Sequence, residues 1–160
     1  MTYSHSRLES YRQCPQKFKF AYIDKIASDT EGIEAFMGSR VHGALEQLYK
    51  NLRFEKQVSL EGVLAEYQRD WDAQWHEGIV IVREEVGPSE YFKMGQRAIT
   101  DYYQRYYPFD QSKTLGLEYR ITLELDSAGK YALQGFVDRL SQPSDGVLWI
   151  HDYKAKGSLP

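Results

Sequence analysis

Two aspartates on consecutive predicted strands, and a lysine just past the second, are the residues of this chain best suited to hold a cation and act on an ester. They lie in the stretch Gln134 to Lys154, QGFVDRLSQPSDGVLWIHDYK. Asp138 falls on the first strand; Asp152 and Lys154 fall at the end of the second. Residues i and i+2 of a strand share a face, about 6.5–7 Å apart. Asp152 and Lys154 therefore point the same way, and Asp138 lies opposite them where the register allows. Two carboxylates brought together repel unless a cation or a proton sits between them. A hard divalent ion such as Mg²⁺ takes oxygen ligands and keeps several waters. The backbone carbonyl of Tyr153, between the two side chains, could complete such a site. A metal there acidifies a bound water and polarises a phosphoryl oxygen. A lysine beside it offsets the charge that develops on the phosphate. One further ligand could arrive from upstream, His42, because neutral imidazole binds metals readily.

Plainer readings stand beside this one. An Asp-x-Lys triplet arises by chance in chains of this size, and Asp138-Arg139 also reads as a surface ion pair. A histidine at the border of an apolar stripe more often serves structure than chemistry. Against these, Phe136 shares a strand face with Asp138, and Leu148 and Ile150 share one with Asp152 and Lys154. The charges thus sit at one end of an apolar face, where charge calls for a reason.

The elements that must position these residues are set by periodicity. Ser4 and Ser6 are good N-caps for a helix over 4–22, which Pro15 should break or reset near Cys14. Residues 27–37 read as a linker. A helix from about Gly38 to Arg53 carries Val41, Leu45, Leu48 and Leu52 as its apolar stripe, with His42 and Tyr49 at the border. Ser59 caps a third helix with Val63, Leu64, Tyr67, Trp71 and Trp75 on one face. A fourth carries Tyr91, Met94, Ala98, Ile99, Tyr102 and Tyr106 and ends at Pro108. From Leu117 the period changes to two, with Leu117, Tyr119, Ile121, Leu123 and Leu125 pointing one way. Turn signals at Asp126–Gly129 and Gln142–Gly146 separate this strand from two more, Tyr131–Leu140 and Val147–Lys154. The expected fold is α+β: a helical first two-thirds, then a three-stranded antiparallel meander.

Composition narrows the function classes. The length of 160 residues fits one domain, 1–160, with 55–112 as helical cover inside it. A net charge of −3 gives no global pull toward nucleic acid or anionic membrane. Locally, Arg7 to Lys25 holds five Lys/Arg against two acidic residues, whereas Glu61 to Glu90 holds eight acidic residues against two arginines. The basic stretch serves either as a solvated helix face or as a face that tracks phosphates. Cys14 is the single cysteine, so the chain has no internal disulfide and no cysteine-based zinc site, which suits a reducing, cytoplasmic setting. No apolar run approaches a membrane span. The 13 tyrosines read as core and half-buried helix faces rather than as a base-stacking surface.

Four stretches in order resemble one known family. Ser4-His-Ser6-Arg-Leu8 with Tyr11, Cys14-Pro15, Phe18 and Tyr22 is similar to the N-terminal helix motif of the RecB-like branch of PD-(D/E)xK nucleases. Gly38-Ser-Arg-Val-His42 is similar to that branch's histidine motif. Gly135-Phe-Val-Asp138-Arg139 and Asp152-Tyr-Lys154 are similar to its two acidic motifs. AddB-type nuclease domains and CRISPR-associated exonucleases belong to the same group. The resemblance implies a restriction-endonuclease-like core and Mg²⁺- or Mn²⁺-dependent cleavage of DNA, with a helicase or repair partner. Carried over by position, it implies His42, Asp138, Asp152 and the Tyr153 carbonyl as metal ligands and Lys154 as the catalytic lysine. Glu118 stands where relatives often carry a glutamate. Relatives continue past the lysine with a helix bearing Gln-x-x-x-Tyr, and some add three cysteines that join one near Cys14 in an iron–sulfur cluster. Cys14 alone cannot build that cluster. A chain that stops six residues after Lys154 is expected to leave one sheet face open, which favours oligomers. The competing expectation is a catalytically silent module of the same fold that binds nucleic acid or docks a protein.

Overall fold

Proline and serine decide where the first helices start. In the computed structural model, which describes residues 2–54, 57–83 and 85–155, the Ser4 side chain accepts from the Arg7 N–H and caps helix α1 (His5–Gln13). Cys14 is extended and caps α2 (Pro15–Phe18), which has Pro15 in its first turn, where a missing N–H costs nothing. A π-helical turn, Lys19–Ile23, comes next. The expected break at Pro15 is present.

The chain forms two compact units, Met1–Asp29 with Glu118–Val137, and Thr30–Leu117 with Asp138–Pro160. In the first, strand β1 (Thr2–Ser4) pairs in parallel with the start of β5 (Ala132–Gln142), Thr2 opposite Ala132. No residue of α1, α2 or the π-helical turn is buried. Rings do the packing instead. Tyr11 meets Phe18 edge-on and Phe18 lies against Tyr22, while the Arg7 guanidinium lies 5.3–5.6 Å from the rings of Tyr3, Phe18 and Tyr22. Asp126 closes the turn after β4 (Lys113–Glu124) by accepting from the N–H groups of Ala128, Lys130 and Tyr131, and Gly129 takes the positive φ of 65°. Tyr119, Leu123 and Leu125, expected to point inward, are 50%, 55% and 59% exposed. Alternation identified the strand but not a core beneath it.

The second unit holds the core. Helix α3 (Ile33–Arg53) starts five residues before Gly38, because Ile33, Phe36 and Met37 continue the apolar stripe into what reads as linker. Ser59 accepts from the Gly62 N–H to cap α4 (Leu60–Gln74), and Pro88 opens α5 (Pro88–Tyr106). Both helices pack on α3. They bury Val63, Tyr67, Trp71, Tyr91 and Ile99 against its stripe. Gly95 lets α5 close on α4, since a Cβ there would lie 2.1 Å from the Tyr67 hydroxyl. Trp75, expected in the core, is 40% exposed and meets Phe36 by its edge. A short parallel pair, β2 (Glu31–Gly32) with β3 (Ile79–Val80), ties the chain before α3 to that after α4.

The layout is α+β, as expected, but the meander is not. Strand β5 has β1 and β4 as neighbours, and also pairs with β6 (Trp149–His151), so the sheet has four strands. Strand β6 is antiparallel, with Arg139 opposite His151 and Ser141 opposite Trp149. It is shorter than the expected Val147–Lys154. Beyond His151 the next paired N–H, that of Tyr153, donates to the Asp138 side chain instead of to a strand carbonyl. Val147, Leu148, Trp149 and Ile150 are exposed.

Candidate metal centre

Helix α3 and the end of β5 bring His42 and Asp138 together. His42 Nδ1 lies 3.4 Å from Asp138 Oδ1, and the two side chains are 30% and 11% exposed. The other imidazole nitrogen, Nε2, lies 2.9 Å from the carbonyl oxygen of Tyr153. The Tyr153 N–H donates to Asp138 Oδ2. One residue after β6 thus touches both partners, its carbonyl on the histidine and its N–H on the aspartate. Continuing the β5–β6 register by one step sets Asp138 opposite Asp152.

The hydrogen-bond inventory of His42 is unbalanced. A carboxylate and a carbonyl oxygen only accept, and a neutral imidazole brings one N–H. Donation from Nε2 to the Tyr153 carbonyl leaves the Nδ1 lone pair facing an Asp138 oxygen. A second proton or a cation resolves that conflict. Imidazole nitrogen beside carboxylate oxygen is a donor set that divalent ions accept. Ligands about 2.1 Å from such an ion sit about 3 Å apart on adjacent octahedral corners, close to the spacing of this pair. The residues fit a divalent cation.

Asp152 and Lys154 stand apart in character. Lys154 Nζ lies 2.6 Å from Asp152 Oδ1, and both side chains are more than half exposed, at 61% and 63%. Their shared face is the one expected from i, i+2 spacing. Glu118 begins the part of β4 that belongs to the first unit and takes a φ of 45°, in the left-handed region that a glutamate seldom visits.

Arg139 is the residue that reading the sequence misplaced. It is not a surface partner of Asp138 but is 4% exposed, on the opposite face of β5. Its guanidinium carbon lies 4.1 Å from the centre of the Tyr49 ring. One nitrogen reaches His151 Nε2 at 3.0 Å and another the Thr114 hydroxyl at 3.4 Å. Burial first, then Arg139, hold the His151 pKa down to about 4, so the imidazole is neutral and accepts. Tyr49 and Tyr102 share a hydrogen bond of 2.8 Å, and burial pushes both phenols up. Burial likewise lifts Tyr153 to about 12. The strand alternation that faces Asp138 one way turns Arg139 the other, and this was the signal in the sequence that could have placed it.

A family model for the PD-(D/E)XK nuclease superfamily matches residues 2–160. The chain belongs to this superfamily. Asp138 and Asp152-Tyr153-Lys154 are the residues expected to answer to the pattern in the superfamily's name, with Val137 where the name writes proline. PD-(D/E)XK nucleases use divalent metals, in keeping with the donor set at His42 and Asp138. No curated protein matches the chain at a significant level.

Proposed function

We propose that this PD-(D/E)XK chain is a divalent-metal-dependent deoxyribonuclease of the RecB-like type, an exonuclease of DNA repair, recombination or defence. The observation that carries the reading is the half-buried contact of His42, Asp138 and Tyr153, formed by residues from three separated motifs. The order of the four motif stretches supports the RecB-like assignment. His42, Asp138 and Asp152 would hold Mg²⁺ or Mn²⁺. The Tyr153 carbonyl lies on the Nε2 side of His42, where it accepts from the ring and would aim Nδ1 at the ion. When bound, the ion supplies an activated water and charge neutralisation for phosphodiester hydrolysis. The chain's own share is orientation and charge. The Tyr153 N–H holds one Asp138 oxygen, leaving the other toward His42. The Lys154 ammonium offers positive charge to the phosphate once it leaves Asp152. DNA is the substrate, and a helicase or repair partner is in keeping with the type.

The test is hydrolysis of linear single- and double-stranded DNA with Mg²⁺ or Mn²⁺, with and without a chelator. Metal-dependent loss of full-length substrate is expected, alongside Mn²⁺ binding by calorimetry. The 2.6 Å pair of Lys154 with Asp152 favours a second reading, a silent nucleic-acid-binding or docking module in which this lysine is neutralised. Tight DNA binding with no cleavage at any metal concentration would select that reading.

A further inference from the structure

A buried guanidinium whose contacts are an aromatic ring, a neutral imidazole and a hydroxyl calls for a reason, since desolvating a cation is costly. Among the described residues its Nε has no hydrogen-bond partner, which adds to the cost. The Tyr49 face and the hydrogen bonds offset part of this. A methionine of similar volume would avoid the cost altogether.

The partners themselves suggest what the arginine is for. Tyr49 lies two helical turns after His42 on α3, the spacing that returns a residue to the same side of a helix. His151 lies two residues before Tyr153 on the same extended chain. Arg139 itself comes directly after Asp138. Two of the three groups gripped by the guanidinium, Tyr49 and His151, are therefore a short, stiff distance along the chain from one member of the His42, Asp138 and Tyr153 contact. Tyr102 adds a further tie, because it bonds the Tyr49 hydroxyl and packs its ring 5.4 Å from that of Tyr153.

We infer that Arg139 is a positioning residue that locks helix α3 and strand β6 onto β5 and so sets His42 and Tyr153 against Asp138. The planar fork is what the role needs. It lies over the Tyr49 ring while its nitrogens donate to His151 and Thr114, which a lysine ammonium cannot do at once. The inference rests on the metal-centre reading for its consequence, but not for its geometry.

Two readouts separate those levels. The first is the Mn²⁺ dissociation constant, by calorimetry well below the melting temperature. The second is the ring ¹⁵N shifts of His42 in metal-free protein, which report its bonds to Tyr153 and Asp138. Arg139→Met should weaken Mn²⁺ binding about 10- to 100-fold, as losing the support of a ligand does, and should move the His42 shifts. Tyr49→Phe, which keeps the stacking face and loses only the bond to Tyr102, should change both by less than Arg139→Met does. Arg139→Lys should behave like Arg139→Met, and it decides the question if Arg139→Met does not fold. A folded Arg139→Met or Arg139→Lys protein with wild-type affinity and wild-type His42 shifts overturns the inference. If wild-type protein takes up no Mn²⁺, the metal reading fails by itself and the His42 shifts alone decide the role of Arg139.

Discussion

The two halves of the candidate centre are built differently. His42, Asp138 and Tyr153 are held by contacts among themselves, with the Asp138 side chain 11% exposed. Asp152 and Lys154 hold only each other, in solvent. An exposed ion pair is worth at most about 1 kcal/mol and exchanges readily with other partners. A buried carboxylate with an N–H and an imidazole on its two oxygens cannot move without leaving something unpaired. The lesson is a division of labour. On the proposed reading, the fixed half would define where a cation goes, and the mobile half would regroup around it and around a phosphate.

The sharpest way to break that contrast is Asp138→Ala. Loss of a fixed ligand should weaken Mn²⁺ binding by about 100-fold or more and abolish cleavage. It should also lower the melting temperature, since the Tyr153 N–H is left without its acceptor. Equal loss from Asp152→Ala, in both affinity and stability, would show that the two halves do not differ. Lys154→Ala should cut cleavage about 10²- to 10³-fold while leaving Mn²⁺ affinity nearly unchanged in calorimetry. A fall in affinity matching the fall in rate would place the lysine on the fixed side.

Gly95→Ala tests whether the fixed half depends on the helical core as a whole. Its methyl group would drive into the Tyr67 hydroxyl. Overpacking of this kind costs about 1–3 kcal/mol, visible in denaturant melts. Mn²⁺ affinity below the transition should stay as in wild type, because the clash is between α4 and α5. The smallest effect is expected at Asp126, remote in sequence from the centre. Backbone N–H bonds, that of Lys130 first, hold its carboxyl below the ordinary 3.8. A lowered folded pKa means a contribution present above 3.8 and lost as the pH falls through and below it. The protection of the Tyr131 N–H, its exchange rate corrected for the intrinsic pH dependence, should fall there, and Asp126→Ala should remove that change.

Local chemistry was the most legible part of the sequence. Ser59 and Pro15 set helix starts through bonds and missing donors that depend on nearby residues alone. The four motif stretches were legible for a related reason, because residue types and their order survive without knowledge of packing. What failed depended on partners far along the chain. Strand β1 is three residues long and exists through pairing with residues 132–134. The start of α3 hid in a stretch whose Ser28, Asp29, Thr30 and Gly32 read as turn formers. Tyr119, Leu123 and Leu125 alternate as core residues do, yet stand exposed. Asp138-Arg139 also read as a surface ion pair, and strand alternation, which turns neighbours to opposite faces, was the cue against it.

The bond from His42 to the Tyr153 carbonyl spans 111 residues of chain. A ribosome adds about 5–20 residues each second. Helix α3 therefore emerges and finds its apolar partners several seconds before the carbonyl that orients its histidine exists. Until Asp138 and Tyr153 have been added, the nascent protein carries an imidazole without the two groups that fix it. The contact of His42 with the Tyr153 carbonyl can close only after the residues of the helical core have been made.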